Sequence, residues 1–521
     1  MLRTKLYADP SSVFVHDLVT RAALRFGEDV AIVDGSSSPP RRLSFSEYAD
    51  SVERLARGLV SAGIQPGDVV AAFLPNSWEF CVFYHAATMA GAIPTLVNPS
   101  YRERELRYQL EVSGSKLLVT DGPLIAGVNL DGLPSLKRVY TTRSHGAGSE
   151  SFSDLLSSTS AALPERSDNK ATLAALPFSS GTTGLPKGVM LTHYNLVANV
   201  FQLLGETALP LEHEDTTLCF LPLYHIYGLN VALNPSFVHG VKLVLMPRFE
   251  VAQAISMIRS EHVRFIPCVP PVLNAFLRAA ESGEFPRDHG IRWVKSGAAP
   301  LPAELARQFS DRTGIPILQG YGMTEASPVT HIGVLDAALA KADSIGLPLA
   351  QTNCRILDVQ SGVETSGPGE LVMRGPQFML GYWNSPESTA DVLRDGWYWS
   401  GDIVTRDELG RYTVVDRRKE MIKFKGFSVA PAEVEAVLME HPAVRDCGVV
   451  GRADEEAGEI PCAFVVLRDG FVESEQLRRD VCGFVGERLT HYKQPRDIRF
   501  VAVVPRNPSG KILRRRLREQ L

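Results

Sequence analysis

Cysteine is scarce in this chain. Its seven cysteines (Cys81, Cys219, Cys268, Cys354, Cys447, Cys462 and Cys482) are scattered and never form a Cys-x-x-Cys pair. A disulfide framework and a close-spaced zinc site are therefore not expected, and the pattern suits a reducing compartment. Long apolar runs are missing too. The most apolar region, Thr216 to Pro247, is interrupted by Tyr224, His225, Asn230, Asn234, Pro235 and Lys242, so no run approaches the roughly 18 residues of a membrane span. The opening residues, MLRTKLYADPSSVF, hold no apolar core of signal-peptide length, and a cytoplasmic location is expected. Excess charge is also lacking: 54 Lys and Arg face 59 Asp and Glu, a net of −5. That balance argues against a nucleic-acid-binding surface spread over the molecule.

What is present is 521 residues, 45% hydrophobic and 22% charged, ordinary for a soluble protein of several structural units. Up to about residue 170, helical and strand patterns alternate. Phe45 to Ala62 repeats apolar residues at helical spacing, with Ser44 or Ser46 as N-cap and Gly63 as the stop. Val69 to Leu74 and Lys116 to Thr120 read as buried strands, with a helix over Trp78 to Ala90 between them. The Ser- and Gly-rich stretch Gly146 to Ser160 reads as an exposed loop. The alternation resumes from Thr172 to Ser296, which implies a parallel sheet covered on both faces. Beyond Ser344, short strands and Gly/Pro turns predict a small β unit, and a boundary is expected near residue 416. After it come a short helix at Pro431 to Glu440, strands at Val444 to Val450 and Ala463 to Leu467, and a longer helix from Glu473.

The strongest local signal is Pro177-Phe-Ser-Ser-Gly-Thr-Thr-Gly-Leu-Pro-Lys187. It packs Ser179, Ser180, Gly181, Thr182, Thr183, Gly184 and Lys187 into one turn after a predicted strand. Glycines let backbone N–H groups converge on an anion, hydroxyls add donors, and the lysine supplies a point charge. The loop departs from the Walker pattern, because Lys187 follows Pro186 and precedes Gly188.

This loop resembles the phosphate loop of the adenylate-forming superfamily, which includes acyl-CoA synthetases, luciferases and peptide-synthetase adenylation domains. Further segments match in order along nearly the whole chain: Leu221-Pro-Leu-Tyr-His225, Ser296-Gly-Ala-Ala-Pro300, Gln319-Gly-Tyr-Gly-Met-Thr-Glu325, Trp399-Ser-Gly-Asp402, Asp416-Arg417, Lys423-Phe-Lys-Gly-Phe427 and Pro508-Ser-Gly-Lys511. The wording HIYGLN, LMPRFE and VAPAEVE is most similar to 4-coumarate–CoA ligases and related fatty-acid ligases. The resemblance implies an α/β fold. A large N-terminal domain (1–415) would hold layered α/β subdomains and the small β unit. A mobile, smaller α+β C-terminal domain (416–521) would be hinged near Lys419.

The implied activity is ATP-dependent ligation of a carboxylic acid to coenzyme A. In the first half the acid attacks the α-phosphate of MgATP, giving an acyl-adenylate and pyrophosphate. By resemblance, Ser179, Ser180, Gly181, Thr182, Thr183 and Lys187 hold the outer phosphates, Thr324 contacts the α-phosphate, and Glu325 helps bind Mg²⁺. Ala299, Gln319 and Gly320 belong to the nucleotide loops, and Tyr321 stacks on adenine. Asp402 accepts from the ribose hydroxyls and Arg417 donates to them. Lys511 bridges carboxylate and α-phosphate, offsetting their repulsion. Taken alone, Lys511 before a basic tail is a solvated turn lysine and Asp402 a turn aspartate; the joint pattern reverses both readings.

In the second half the CoA thiol attacks the adenylate. Domain rotation about Lys419 would present Lys423, Lys425 and Gly426, with Lys423 taking part in the step and Arg248, Lys425 and Gly426 contacting CoA. His225 has an orienting role at the acyl mouth, since a thiol adding to a mixed anhydride needs little base assistance. Tyr227 matches the position that stacks on an aromatic acid. Val231 stands where hydroxycinnamate ligases often carry Ser, so cinnamate-like, less hydroxylated or medium-chain acids are expected, with room left by Ala299, Gly320 and Gly322. Loading of a carrier protein's phosphopantetheine is the alternative acceptor, and a non-catalytic nucleotide-binding scaffold the alternative class. An amino-acid substrate is disfavoured, because His225-Ile-Tyr227 lacks an acidic partner for an α-ammonium.

Overall fold

A computed structural model describes residues 9–143, 148–157, 160–165, 168–179, 186–205, 209–333, 341, 343–425, 427–454, 456–507 and 510–521. The first predicted helix forms as Phe45–Ser61. Ser44 caps it by accepting from the Glu47 N–H, while the Glu47 carboxylate accepts from the Ser44 N–H. Its apolar stripe (Tyr48, Val52, Leu55, Leu59) is fully buried.

Two parallel sheets form the bulk of the chain. The smaller runs Ile93–Leu96, Val69–Phe73, Leu117–Thr120, Arg138–Thr141 and Glu150–Ser151. The larger has Ile317–Gly322, Trp293–Ser296, Phe265–Cys268, Thr216–Cys219, Lys242–Leu245 and Val30–Asp34 side by side and parallel. Antiparallel strands close its edges, Val329–Ile332 beyond one and Arg41–Ser44 beyond the other. The strands are apolar almost throughout because both faces are covered. Loops after the carboxyl ends of parallel strands are where such sheets bind ligands. His225, Ala299 and Tyr321 all belong to those ends or the loops that follow.

The expected exposed loop at Gly146 to Ser160 is corrected. Glu150–Ser151 is an edge strand and Phe152–Ser157 a helix. Phe152 and Leu155 are buried against helix Phe45–Ser61. Gly58 permits that approach, since a Cβ there would lie 1.9 Å from the Leu155 carbonyl oxygen. Serine-rich composition concealed two apolar residues at helical spacing.

The small β unit is an antiparallel sheet of Asn353–Leu357, Gly369–Arg374, Trp397–Arg406, Leu393–Arg394 and Tyr412–Arg417. A separate short sheet joins Leu173–Ala175, Lys187–Thr192 and Gly381–Tyr382, so the segment after the phosphate loop pairs with a strand almost 200 positions on. From Ile422 onward the chain has apolar clusters of its own, one of them built on Val434, Leu438, Val449, Val465, Val481 and Val485. There the hairpin Val444–Asp454 and Gly458–Leu467 packs with helices Pro431–Met439 and Glu475–Gly486. Among the described residues no helix is long and apolar enough to cross a membrane.

Candidate active site

Ser180, Gly181, Thr182 and Thr183 lie outside the described residues, as does Gly426. Their flanks are placed. Ser179 and Lys187 face each other as antiparallel partners. The Lys187 ammonium donates to Ser388 Oγ at 2.7 Å and sits 5.3 Å above the centre of the Tyr382 ring. Tyr382 donates its hydroxyl to Glu325 Oε1 at 2.7 Å. Burial and the adjacent Glu325 carboxylate push the Tyr382 phenol far up, so it keeps its proton and donates. Glu325 and Thr324 occupy a single 3-10 turn directly after strand Ile317–Gly322. The phosphate-loop lysine and the acidic turn are thus brought together by a third residue that no motif contained.

A second cluster forms around Asp402. Tyr321 donates its hydroxyl to Asp402, and Arg417 Nε meets the other Asp402 oxygen at 3.0 Å. Asp402 and Arg417 are direct cross-strand partners, so sheet register sets that ion pair. Asp402 is buried, and its charge holds the Arg417 guanidinium above its ordinary range. A carboxylate has about four acceptor sites, so Asp402 retains capacity for ribose hydroxyls alongside these two contacts. Gln319 and Gly320 share the Tyr321 strand, and Ala299 lies in the loop after Trp293–Ser296.

His225 caps the one-turn helix Ile226–Gly228, its Nδ1 accepting from the Tyr227 N–H at 3.2 Å. Burial lowers its pKa to about 4, so the imidazole is neutral at pH 7. With Tyr101, Phe178, Tyr224 and Thr324 it lines a cleft. Tyr227 is buried and donates its hydroxyl to the Lys295 carbonyl at 3.0 Å. Val231 is wholly buried in the π-helical turn Leu229–Leu233.

Two expectations about room in the pocket are corrected. A Cβ on Gly322 would lie 1.9 Å from the Pro328 carbonyl oxygen, so that glycine serves backbone packing. The space beside Gly320 holds the Lys295 stem, whose Cε would be 2.6 Å from a Cβ there. Lys295 is the residue that sequence reasoning missed. It is 1% exposed, its ammonium has no hydrogen-bond partner among the described residues, and that ammonium lies 5.8 Å from the Tyr227 ring centre. Burial lowers its pKa to about 7. A lysine inside the apolar strand Trp293–Ser296 was the available signal, since charged residues are rarely buried without a partner.

Toward the C-terminus, the Lys511 N–H donates to Asn507 Oδ1 at 2.9 Å. Gly510 abuts Pro271 at the start of helix Pro270–Glu281. Burial and then the Arg417 charge lower the Lys511 pKa to about 8, with the Asp402 charge acting the other way. Lys419 lies in the exposed turn after strand Tyr412–Arg417, Lys423 and Lys425 are exposed on and after strand Ile422–Phe424, and Arg248 is exposed. The structure leaves these cations on the surface.

Residues 19–383 match the family model of the AMP-binding enzyme, and residues 433–511 match the AMP-binding enzyme C-terminal domain. The chain belongs to the AMP-binding enzyme family. It is 38% identical to 4-coumarate–CoA ligase 5 of Oryza sativa subsp. japonica, over 99% of this chain and 96% of that one. Among solved structures it resembles ATP-bound MatB from Rhodopseudomonas palustris, with a TM-score of 0.87, 28% identity and coverage of 98% and 99% of the two chains. It also resembles the o-succinylbenzoate CoA synthetase of Bacillus subtilis in complex with its acyl-adenylate, with a TM-score of 0.81, 28% identity and coverage of 96% and 97%. This AMP-binding enzyme is an acid–thiol ligase that works through an acyl-adenylate.

Proposed function

We propose that this ligase activates a cinnamate-like acid bearing a hydrogen-bonding group at the far end of its ring, and passes it to free CoA. The observation that carries the reading is the Tyr321–Asp402–Arg417 cluster beside the Lys187–Tyr382–Glu325 group, with the Arg417 and Asp402 charges also acting on the Lys511 amine. In the first step an acid oxygen attacks the α-phosphorus and pyrophosphate leaves. Lys511 spans the two anions, Thr324 donates to the α-phosphate, and Lys187 with the Ser179–Thr183 loop holds the departing phosphates. The Glu325 oxygen not engaged by Tyr382 suits Mg²⁺, which when bound would neutralise phosphate charge. Asp402 and Arg417 fix the ribose and Tyr321 backs the adenine.

In the second step the thiol sulfur adds to the acyl carbon and AMP leaves. Exposure of Lys423, Lys425 and Arg248 fits a second arrangement in which residues 416–521 turn about Lys419 and bring these cations inward. His225, neutral and anchored by Tyr227, orients the acyl group at the mouth of the pocket. The seven free thiols fit a reducing, cytoplasmic setting.

Acid choice rests on Lys295. Val231 alone favours a less hydroxylated ring, but the Lys295 amine, 5.8 Å from the Tyr227 ring centre and unpartnered among the described residues, would supply the bond that valine cannot. A wholly aliphatic tail would leave that amine unsatisfied, at about 1–3 kcal/mol. The test is AMP release with free CoA and a panel of 4-hydroxycinnamate, cinnamate and octanoate. The hydroxylated acid is expected to lead. Preference for octanoate would defeat the assignment, and turnover with a carrier protein but not CoA would replace the acceptor.

A further inference from the structure

Tyr382 belongs to none of the family-like motifs, yet it touches both halves of the phosphate side. Strand Gly381–Tyr382 pairs antiparallel with strand Lys187–Thr192, Tyr382 standing opposite Val189. That register carries its ring under the Lys187 ammonium and its hydroxyl onto Glu325 Oε1. The main chain there is held as well: the Tyr382 N–H donates to Thr389 Oγ1 at 2.8 Å, and the residue is largely buried. Ser388, in the same short helix as Thr389, takes the Lys187 proton donor at 2.7 Å.

Resting on the ligase reading above, we propose that Tyr382 is a positioning residue that locks Glu325 and Lys187 into one constellation for the metal-bound phosphates. A carboxylate free to rotate presents either oxygen, or both, at any angle. With Oε1 occupied by a phenol donor, the rotamer is fixed and Oε2 is left for a cation. The negative face of the same ring attracts the lysine ammonium, which holds a long side chain in place before the nucleotide arrives. One side chain thereby sets the spacing between a cation that grips phosphate oxygens and an anion that grips the metal.

The test is ATP binding to the intact protein by isothermal titration calorimetry, with excess Mg²⁺ and separately with EDTA. In the parent, Mg²⁺ is expected to tighten ATP binding. Tyr382→Phe keeps the ring but drops the donor, so the Mg²⁺-dependent tightening should fall about tenfold while affinity in EDTA stays unchanged. Tyr382→Leu loses the ring as well, and affinity in EDTA should also fall about threefold to tenfold. Tyr382→His restores a ring and an N–H donor and should recover the tightening to within about threefold of the parent. The histidine variant decides the matter if the phenylalanine variant does not fold. Full Mg²⁺ response in Tyr382→Phe, or equal loss in the Phe and His variants, would overturn the proposal. Failure of the ligase reading would show differently, as a parent protein that binds no ATP.

Discussion

Replacing Lys295 by methionine separates the cost of its burial from its use. Methionine keeps the length and apolar stem of the side chain and removes the amine. Burial lowers that amine from its ordinary 10.5 to about 7. As pH falls from about 10.5 to 7, the unfolded chain takes up a proton that the folded protein refuses, so stability declines across that window and levels off below it. At about 1.4 kcal/mol per pH unit the deficit reaches about 5 kcal/mol at neutral pH and about 1 kcal/mol at pH 9.5. Lys295→Met escapes it. The variant is expected to be more stable than the parent at pH 7, by a margin that shrinks by about 3–4 kcal/mol at pH 9.5. Urea unfolding at both pH values, followed by tryptophan fluorescence with Trp293 only two residues away, reads the margin. The same variant should lose about tenfold in kcat/KM for 4-hydroxycinnamate and little for cinnamate. A margin independent of pH, or a methionine variant less stable than the parent at pH 7, would refute the reasoning.

The other predictions concern the two half-reactions and the pocket wall. Lys511→Ala should abolish acid-dependent pyrophosphate exchange while leaving thioester formation from supplied acyl-adenylate largely intact; equal loss of both would contradict the two-arrangement scheme. Because the Lys511 pKa is lowered to about 8, exchange measured as kcat/KM should fall as pH rises through that value, and a profile flat to about pH 9.5 would dismiss the ammonium as the bridge. Lys423→Ala should do the reverse of Lys511→Ala, sparing exchange and slowing thioester formation about tenfold or more, as rapid-quench measurement would show. Val231→Ser adds a second partner for a ring hydroxyl and should raise the preference for 4-hydroxycinnamate over cinnamate about threefold to tenfold. No change in that ratio would place Val231 outside the pocket.

Much of the ligase was legible before any coordinates. The alternation of strands and helices, the hydroxyl-rich glycine loop, the Trp399-Ser-Gly-Asp402 segment and the tail lysine are local patterns, and each keeps its residue types wherever the fold puts it. Capping at Ser44 and the stop at Gly63 likewise depend on neighbours in sequence. The helix Phe152–Ser157 escaped notice because its two buried residues, Phe152 and Leu155, sit in a run whose average composition is that of a loop. Its partner surface at Gly58 lies almost 100 residues away.

The family, the order of the motifs and the kind of bond made and broken could be read along the chain, because these follow from which side chains stand next to one another in it. It took the folded chain to show that Tyr382 joins Lys187 to Glu325, that Arg417 and Tyr321 share Asp402, and that Lys295 lies buried beside Tyr227 with no hydrogen-bond partner among the described residues. Sheet register and burial create those relations between residues tens to hundreds of positions apart. A lysine's charge is written in its name, but whether water reaches it depends on everything packed around it.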